Sequence, residues 1–128
     1  MRLLLDTNVA LWAITKDDRL GRRATELIVD RSNSVWVSVA TLWEIAIKHA
    51  LRRGEMPVSA AAARGYFHDA GYGVVAIEPG HVLRVERLPQ IHADPFDRVL
   101  VAQTIEEGMH LLTRDRVLPD YSDLVIPV

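Results

Sequence analysis

An α/β fold with a mostly parallel sheet, covered by helices on both faces, follows from three features of the chain. Short apolar runs alternate with longer helical stretches from one end to the other. The runs are continuous rather than alternating: Leu3, Leu4 and Leu5 are consecutive, as are Leu111 and Leu112. A strand that is apolar on both sides is one buried on both sides. Helical segments separate successive strands, which is the connection that parallel pairing demands.

Taken in order, residues 2–5 read as the first strand, 7–14 as a short helix, and 20–30 as a second, amphipathic helix. Residues 35–37 form the next strand. A strongly apolar helix over 41–52 is stopped by Gly54 and Pro57, and another over 60–70 is stopped by Gly71 and Gly73. A third strand occupies 74–77, followed by a helix over 81–88 and a loop over 89–93. Asp94 then stands as N-cap of a helix over 95–107, with Pro95 in the first helical position and Asp97 in the third. Strands at 110–113 and 124–126 complete the chain, which has no internal repeat, linker or low-complexity tract.

Composition narrows the function classes. With 128 residues, 49% of them hydrophobic, and no run of 18 or more apolar residues, the chain fits one domain with a sizeable core and no membrane span. The first apolar run is broken at once by Asp6, Thr7 and Asn8, so no leader segment is read and the expected location is the cytoplasm. The absence of cysteine excludes disulfides, thiol catalysis and cysteine-ligated metal, so any metal is held by oxygen or imidazole. A formal net charge of -2 argues against coating nucleic acid through bulk positive charge, and leaves room for a local basic surface beside an acidic site.

Four acids stand where an unpaired carboxylate is unfavourable. Asp6 ends the first strand, and Asp115 follows Leu111, Leu112, Thr113 and Arg114 at the end of a late one. Carboxyl ends of parallel strands are where open α/β sheets bind ligands, so two such carboxylates from distant parts of the chain point to one crevice. Glu44 lies among Leu42, Trp43, Ile45, Ala46 and Ile47, which leave little polar face, and Asp97 opens the helix after Asp94. Each has a plainer reading beside this one: Asp6 and Asp94 as helix caps, Glu44 paired with Lys48 one turn on, Asp97 as a first-turn acid, Asp115 as a turn residue. Together the four suggest a divalent-cation site.

The segments Leu4-Leu5-Asp6-Thr7-Asn8, Trp43-Glu44-Ile45, Asp94-Pro95-Phe96-Asp97-Arg98 with Leu100, Ala102 and Gln103, and Leu112-Thr113-Arg114-Asp115 carry a further signal in their order and spacing. In these the chain resembles the PIN-domain family, specifically the VapC-like toxins of bacterial toxin-antitoxin pairs, over nearly its whole length. The resemblance implies a three-layer α/β/α sandwich, endoribonuclease activity dependent on Mg²⁺ or Mn²⁺, and neutralisation by a small cognate antitoxin protein. It makes Asp6, Glu44, Asp97 and Asp115 the catalytic, metal-binding quartet, with Asn8 and Thr113 supporting them, and leaves Asp94 open between ligand and cap.

The chemistry agrees. Phosphodiester hydrolysis needs an activated water, stabilised charge on the phosphoryl oxygens and help for the leaving oxygen, all of which Mg²⁺ or Mn²⁺ supplies from carboxylate sites. The expected reaction is in-line attack of activated water on RNA, leaving 5′-phosphate and 3′-hydroxyl ends, with Asp6, Asp97 and Asp115 as principal ligands and Glu44 as ligand or water-orienting base. Lys48, Arg98, Arg114 and Arg116 adjoin the acidic motifs and are the candidates for holding RNA phosphates. Trp12, Trp36 and Trp43 read as core or interface packing. The apolar stretch over 41–47 and Ala60, Ala61, Ala62 and Ala63 offer surface for a homodimer or an antitoxin groove.

Competing readings remain. Histidine chemistry has five residues to draw on, His49, His68, His81, His92 and His110, but none shows the i, i+4 pairing of a zinc helix. His110 reads as a satisfied core residue, and His92 is notable for flanking the Asp94 turn. A phosphohydrolase of small esters would use Asp6 as nucleophile and commonly a second aspartate two residues on, where this chain has Asn8. A non-catalytic Mg²⁺-binding interaction domain would use the same acids and turn over nothing.

Overall fold

Leu3, Leu4 and Leu5 have no exposed surface at all, and their side chains go to opposite faces of the sheet. Leu3 and Leu5 join Val35, Val37 and Leu112 in one apolar cluster, whereas Leu4 joins Leu111 and Val125 in another. This alternation along strands that are apolar on both sides fixes the architecture as three layers. The computed structural model describes residues 1–51 and 56–128.

Five parallel strands form the sheet: β1 (Arg2–Leu5), β2 (Ser34–Ser38), β3 (Gly73–Val75), β4 (His110–Thr113) and β5 (Val125–Pro127), in the spatial order β3-β2-β1-β4-β5. On the face of Leu3 and Leu5 lie α1 (Thr7–Thr15), α2 (Arg22–Val29), α3 (Val39–Ala50) and α4 (Ala60–Asp69), which contribute Val9, Ala10, Ala24, Ile45, Ala63 and Phe67 to the buried interior. The opposite face is covered by α5 (Pro79–Arg87) and α6 (Pro95–Glu107), with Leu100, Val101 and Ala102 of α6 fully buried. Strand order turns back between β1 and β4, so a crevice opens there at the carboxyl ends of the strands.

Several boundaries differ from the sequence expectation. The helix expected over 20–30 is a single 3₁₀ turn (Asp18–Leu20) and then α2, separated by Gly21 at φ 80°, a left-handed conformation that glycine adopts without strain. Helix α3 starts at Val39 because the Ser38 side chain accepts the Ala40 N–H and caps it there. Its expected end at Arg52, and the stop at Gly54, lie outside the described residues. Strand β3 is the segment from Gly73 to Val75 rather than 74–77, and Gly73 sits under the Trp36 ring, where a β-carbon would fall 2.4 Å from a ring atom. Helix α6 and strand β4 coincide with expectation, α6 ending at Gly108 with φ 64°. No helix among the described residues is long and apolar enough to cross a membrane.

Candidate active site

Asp6 is the residue at which β1 becomes α1. Its backbone still donates to Leu112, extending the sheet, while its side-chain Oδ1 accepts the Val9 N–H at 2.8 Å as the cap of α1. Its other oxygen, Oδ2, accepts the Thr113 hydroxyl across from β4. Asp6 is therefore a helix cap and a pocket acid at once. Burial pushes its carboxyl above the ordinary range despite those hydrogen bonds, and Glu44 adds to the effect.

Around it, Thr7, Asn8, Glu44, Lys48, Asp94, Asp97, Arg114 and Asp115 line a cavity of about 300 Å³. The four sequence-predicted acids and Asp94 thus converge from both helical layers and from two strand ends. Glu44 is only 6% exposed, and both of its oxygens are occupied: Oε1 by the Thr7 hydroxyl at 2.7 Å and Oε2 by the Lys48 ammonium at 2.5 Å. The ion pair one turn apart and the crevice position, weighed as alternatives, are both realised. Thr7 was not singled out from the sequence; its signal was its place beside Asp6 at the first helical position, facing α3.

Asp94 caps α6, its Oδ1 accepting the Phe96 and Asp97 N–H groups at 2.8 and 3.2 Å. Asp97, one turn in, finds no donor within hydrogen-bond distance for its carboxylate among the described residues. Its pKa is pushed up to about 7, first by burial, then by the charges of Asp94 and Asp6, with partial relief from His92 and a further push from Glu44. Asp115 is better supported: Oδ1 accepts the Val117 N–H at 2.8 Å and Oδ2 faces His92 Nε2 at 2.9 Å. Its own N–H reaches Thr113 Oγ1 at 3.0 Å, so Thr113 ties Asp6 and Asp115 together.

The basic candidates divide. Lys48 and Arg114 line the cavity. Arg116 is exposed and outside the lining. Arg98 is a correction: it is buried, and its guanidinium donates to the Pro89 and Val85 carbonyls at 2.9 and 3.0 Å and to the Tyr121 hydroxyl at 3.0 Å. Those are orphan carbonyls at and after the end of α5, which an arginine satisfies well, and the engagement leaves Arg98 no reach to a substrate phosphate.

Histidines and tryptophans also sort themselves. His49 and His68 are exposed and outside the cavity lining, whereas His92 joins Asp97 and Asp115 in a cluster whose ligand atoms lie within 4.8 Å of one another. His110 is half-buried, but its Nδ1 is buried without a hydrogen-bond partner among the described residues, so it is not the satisfied core histidine expected. Trp12 lies under Arg19 and Arg114, and Trp36 packs on the α5/α6 side. Trp43 is 56% exposed and meets Phe96 edge-on at 5.2 Å, so it is not core.

As a donor set the cavity suits a hard divalent cation. Among the described residues five carboxylates face it with only two cationic side chains, and burial, with the neighbouring carboxylates, pushes the pKa of Asp97 up to about 7. A larger open cleft of about 580 Å³ between α1 and α2 is lined by Ala13, Leu20, Ile28 and Tyr72 and by the acids Asp17, Asp18 and Glu26, but Asp17 is paired with Arg19 and Glu26 with Arg22.

Comparison with known proteins converges on one family. The sequence model of the PIN domain matches residues 3–124. Ribonuclease VapC22 of Mycobacterium tuberculosis is 27% identical over 117 residues, covering 91% of this chain and 88% of that protein. Among solved structures, VapBC2 from Rickettsia felis bound to a DNA fragment from its promoter matches with a TM-score of 0.71 at 16% identity, covering 100% of this chain and 98% of that one. A toxin-antitoxin complex from Klebsiella pneumoniae matches with a TM-score of 0.66 at 17% identity, covering 97% and 95%.

Proposed function

The chain belongs to the PIN domain family, and from that premise we propose that it is a divalent-metal-dependent endoribonuclease, the toxin of a toxin-antitoxin pair. The observation that carries the proposal is the convergence of Asp6, Glu44, Asp97 and Asp115 on one cavity at the turning point of a parallel sheet. The ribonuclease name of the mycobacterial relative and the toxin-antitoxin titles of the structural relatives support it.

Asp6, Asp97 and Asp115, joined by Glu44, are the groups that would hold Mg²⁺ or Mn²⁺. When bound, such an ion acidifies water and neutralises charge on the phosphoryl oxygens. The remaining work falls to the chain. Thr113 fixes the Asp6 carboxylate, and Thr7 and Lys48 fix that of Glu44, so three side chains hold two acids in place before substrate arrives. Asp97, with no hydrogen-bond donor among the described residues, is the carboxylate best able to orient an attacking water or to close on an ion. Lys48 and Arg114 sit where they meet substrate phosphate, with Arg116 outside the lining, and Asn8 is part of the cavity wall. Water attacks in line, leaving a 5′-phosphate and a 3′-hydroxyl.

A cognate antitoxin and a second copy of the chain are the proposed protein partners. An exposed apolar row along α3, Val39, Trp43, Ile47 and Leu51, supports contact with at least one of them. The proposed location is the cytoplasm.

The test is cleavage of structured and unstructured RNAs by wild type and Asp6→Asn with Mg²⁺, Mn²⁺ or EDTA, mapping the product ends. The expected result is 5′-phosphate ends that vanish with EDTA and with the substitution while the protein stays folded. Ends carrying 2′,3′-cyclic phosphate would instead mean attack by the RNA's own 2′-hydroxyl. Turnover of a small phosphate ester but not RNA, or metal binding with no turnover at all, would replace the nuclease reading.

A further inference from the structure

His92, Asp97 and Asp115 present ligand atoms close enough to share an ion, yet the hydrogen bond on the far side of the imidazole decides otherwise. His92 Nδ1 lies 3.0 Å from the Asp94 backbone nitrogen, whose N–H can only donate. Nδ1 is therefore the bare nitrogen, Nε2 carries the proton, and the 2.9 Å contact to Asp115 Oδ2 is a donated hydrogen bond. A metal-ligating histidine shows the reverse arrangement, donating from its other nitrogen and offering a bare one to the ion.

We propose that His92 is a positioning residue that orients the Asp115 carboxylate, and that Arg98 and Tyr121 position His92 in turn. This rests on the reading of the cavity as a metal-dependent nuclease site. The chain of contacts is continuous. Arg98 clamps Val85 and Pro89 through their carbonyls and donates to the Tyr121 hydroxyl at 3.0 Å. The same hydroxyl accepts the His92 backbone N–H at 2.8 Å, which pins the loop between α5 and α6. His92 then donates to Asp115, whose N–H binds Thr113, whose hydroxyl binds Asp6. The arginine one position after Asp97 thus acts on the acids from behind, through a loop, and never meets substrate.

Asp115 gains a fixed carboxylate plane: Val117 N–H holds Oδ1, His92 holds Oδ2, and each oxygen keeps a lone pair for the cavity. Loss of such an outer partner typically weakens metal affinity by 10–100-fold. His92→Ala is expected to weaken Mg²⁺ binding, measured by calorimetry, by roughly 10-fold and to lower kcat with little change in KM. His92→Gln, which returns an N–H donor near the place of Nε2, is expected to recover most of both. Tyr121→Phe keeps the ring and loses only the hydroxyl, so it is expected to shift Mg²⁺ affinity in the same direction by a smaller factor.

Imidazole ¹⁵N spectra of the wild-type protein decide between donor and ligand whatever the variants do. The proposal expects a protonated Nε2 and a bare Nδ1 at pH 8, both without metal and with saturating Mg²⁺. An Nε2 that loses its proton when Mg²⁺ or Zn²⁺ is added would make His92 a ligand and overturn it, as would His92→Ala binding Mg²⁺ as tightly as wild type. If Asp6→Asn also bound Mg²⁺ unchanged, the cavity itself would not be the metal site, a separate failure.

Discussion

His81 and His92 each accept a backbone N–H at Nδ1, from Glu78 at 2.9 Å and from Asp94 at 3.0 Å, and each turns Nε2 toward a carboxylate, Glu107 at 2.8 Å and Asp115 at 2.9 Å. The same local device stands at the start of both α5 and α6. What lies beyond the carboxylate separates them. His81 is only 2% exposed, wedged between the start of α5 and the end of α6, and Glu107 turns a part-exposed edge to solvent. His92 is 22% exposed, and past Asp115 stand Asp97, with Nε2 to Oδ2 at 3.7 Å, and the rest of the acid cluster. A histidine held by a helix cap is thus a structural unit that takes on function from the charge density it serves. In the first case water completes the solvation of one carboxylate; in the second the burial of several leaves a deficit of positive charge.

Removing that deficit is the largest perturbation. Asp97→Asn is expected to lower RNA cleavage on the order of 10³-fold, since one principal acid of the cavity is lost. Stability should move the other way. In metal-free protein the Asp97 carboxyl holds its proton to about pH 7 when folded, against an ordinary value of 3.8. The folded state therefore binds more protons than the unfolded one between those values, and stability, fully present below about pH 4, falls as pH rises through 7. The span corresponds to a few kcal/mol at most, because neighbouring acids titrate with it. Thermal unfolding in EDTA at pH 5 and pH 8 should show the wild type losing more stability than Asp97→Asn, in which the buried Asp6 carboxyl still titrates, with the variant melting roughly 5–10 °C higher at pH 8. Added Mg²⁺ should raise the wild-type midpoint and leave the variant's unchanged. A variant less stable than wild type at pH 8 would mean that Asp97 carries no unfavourable charge, and the contrast with the His81 site would collapse.

His81→Ala tests the other half. It strips the Glu78 N–H and the buried side of Glu107 of their partner and opens space in the α5/α6 contact, at a cost of about 2 kcal/mol. The melting temperature is expected to fall by roughly 5–10 °C. Cleavage below that melting temperature should equal wild type. A loss of turnover without a loss of stability would mean that the two histidine sites communicate.

How much of this was legible in the sequence follows from how local each cause is. Asp6 and Asp115 showed as strand-end acids because their strands are apolar on both faces, and Asp94 and Asp97 showed because a proline-led helix announces its start. The three-layer order followed from the same runs. Arg98 was misread because adjacency in sequence to Asp97 says nothing of direction: one residue along a helix turns the side chain by about 100°, from the cavity to the loop behind it. His92 drew notice only as a neighbour of the Asp94 turn; its role depends on Tyr121 and Asp115, more than twenty residues away. Trp43, among apolar neighbours, read as core or interface packing; the core half of that reading fails, because it belongs to the outward row of α3 while Glu44, the next residue, turns inward.

The two arginines that flank Asp115 give the smallest and most discriminating contrast. Arg114 lies over Trp12 at 5.7 Å, donates through Nη1 to the Arg19 carbonyl and lines the cavity, so its fork is oriented and retains donors for one phosphate. Arg116 is exposed, outside the lining, and shares its position with solvent. Arg114→Ala is therefore expected to weaken single-stranded RNA binding several-fold and to reduce the slope of log affinity against log salt by about 0.7, the value for one phosphate on a single strand. Arg116→Ala should shift affinity by less than about half as much in free energy, as an unoriented surface charge does. Filter binding across a salt series with an inactive Asp6→Asn background reads both. Equal slopes for the two variants would place the phosphate path outside the cavity mouth, and the acids would then meet the backbone from a direction that Arg114 does not mark.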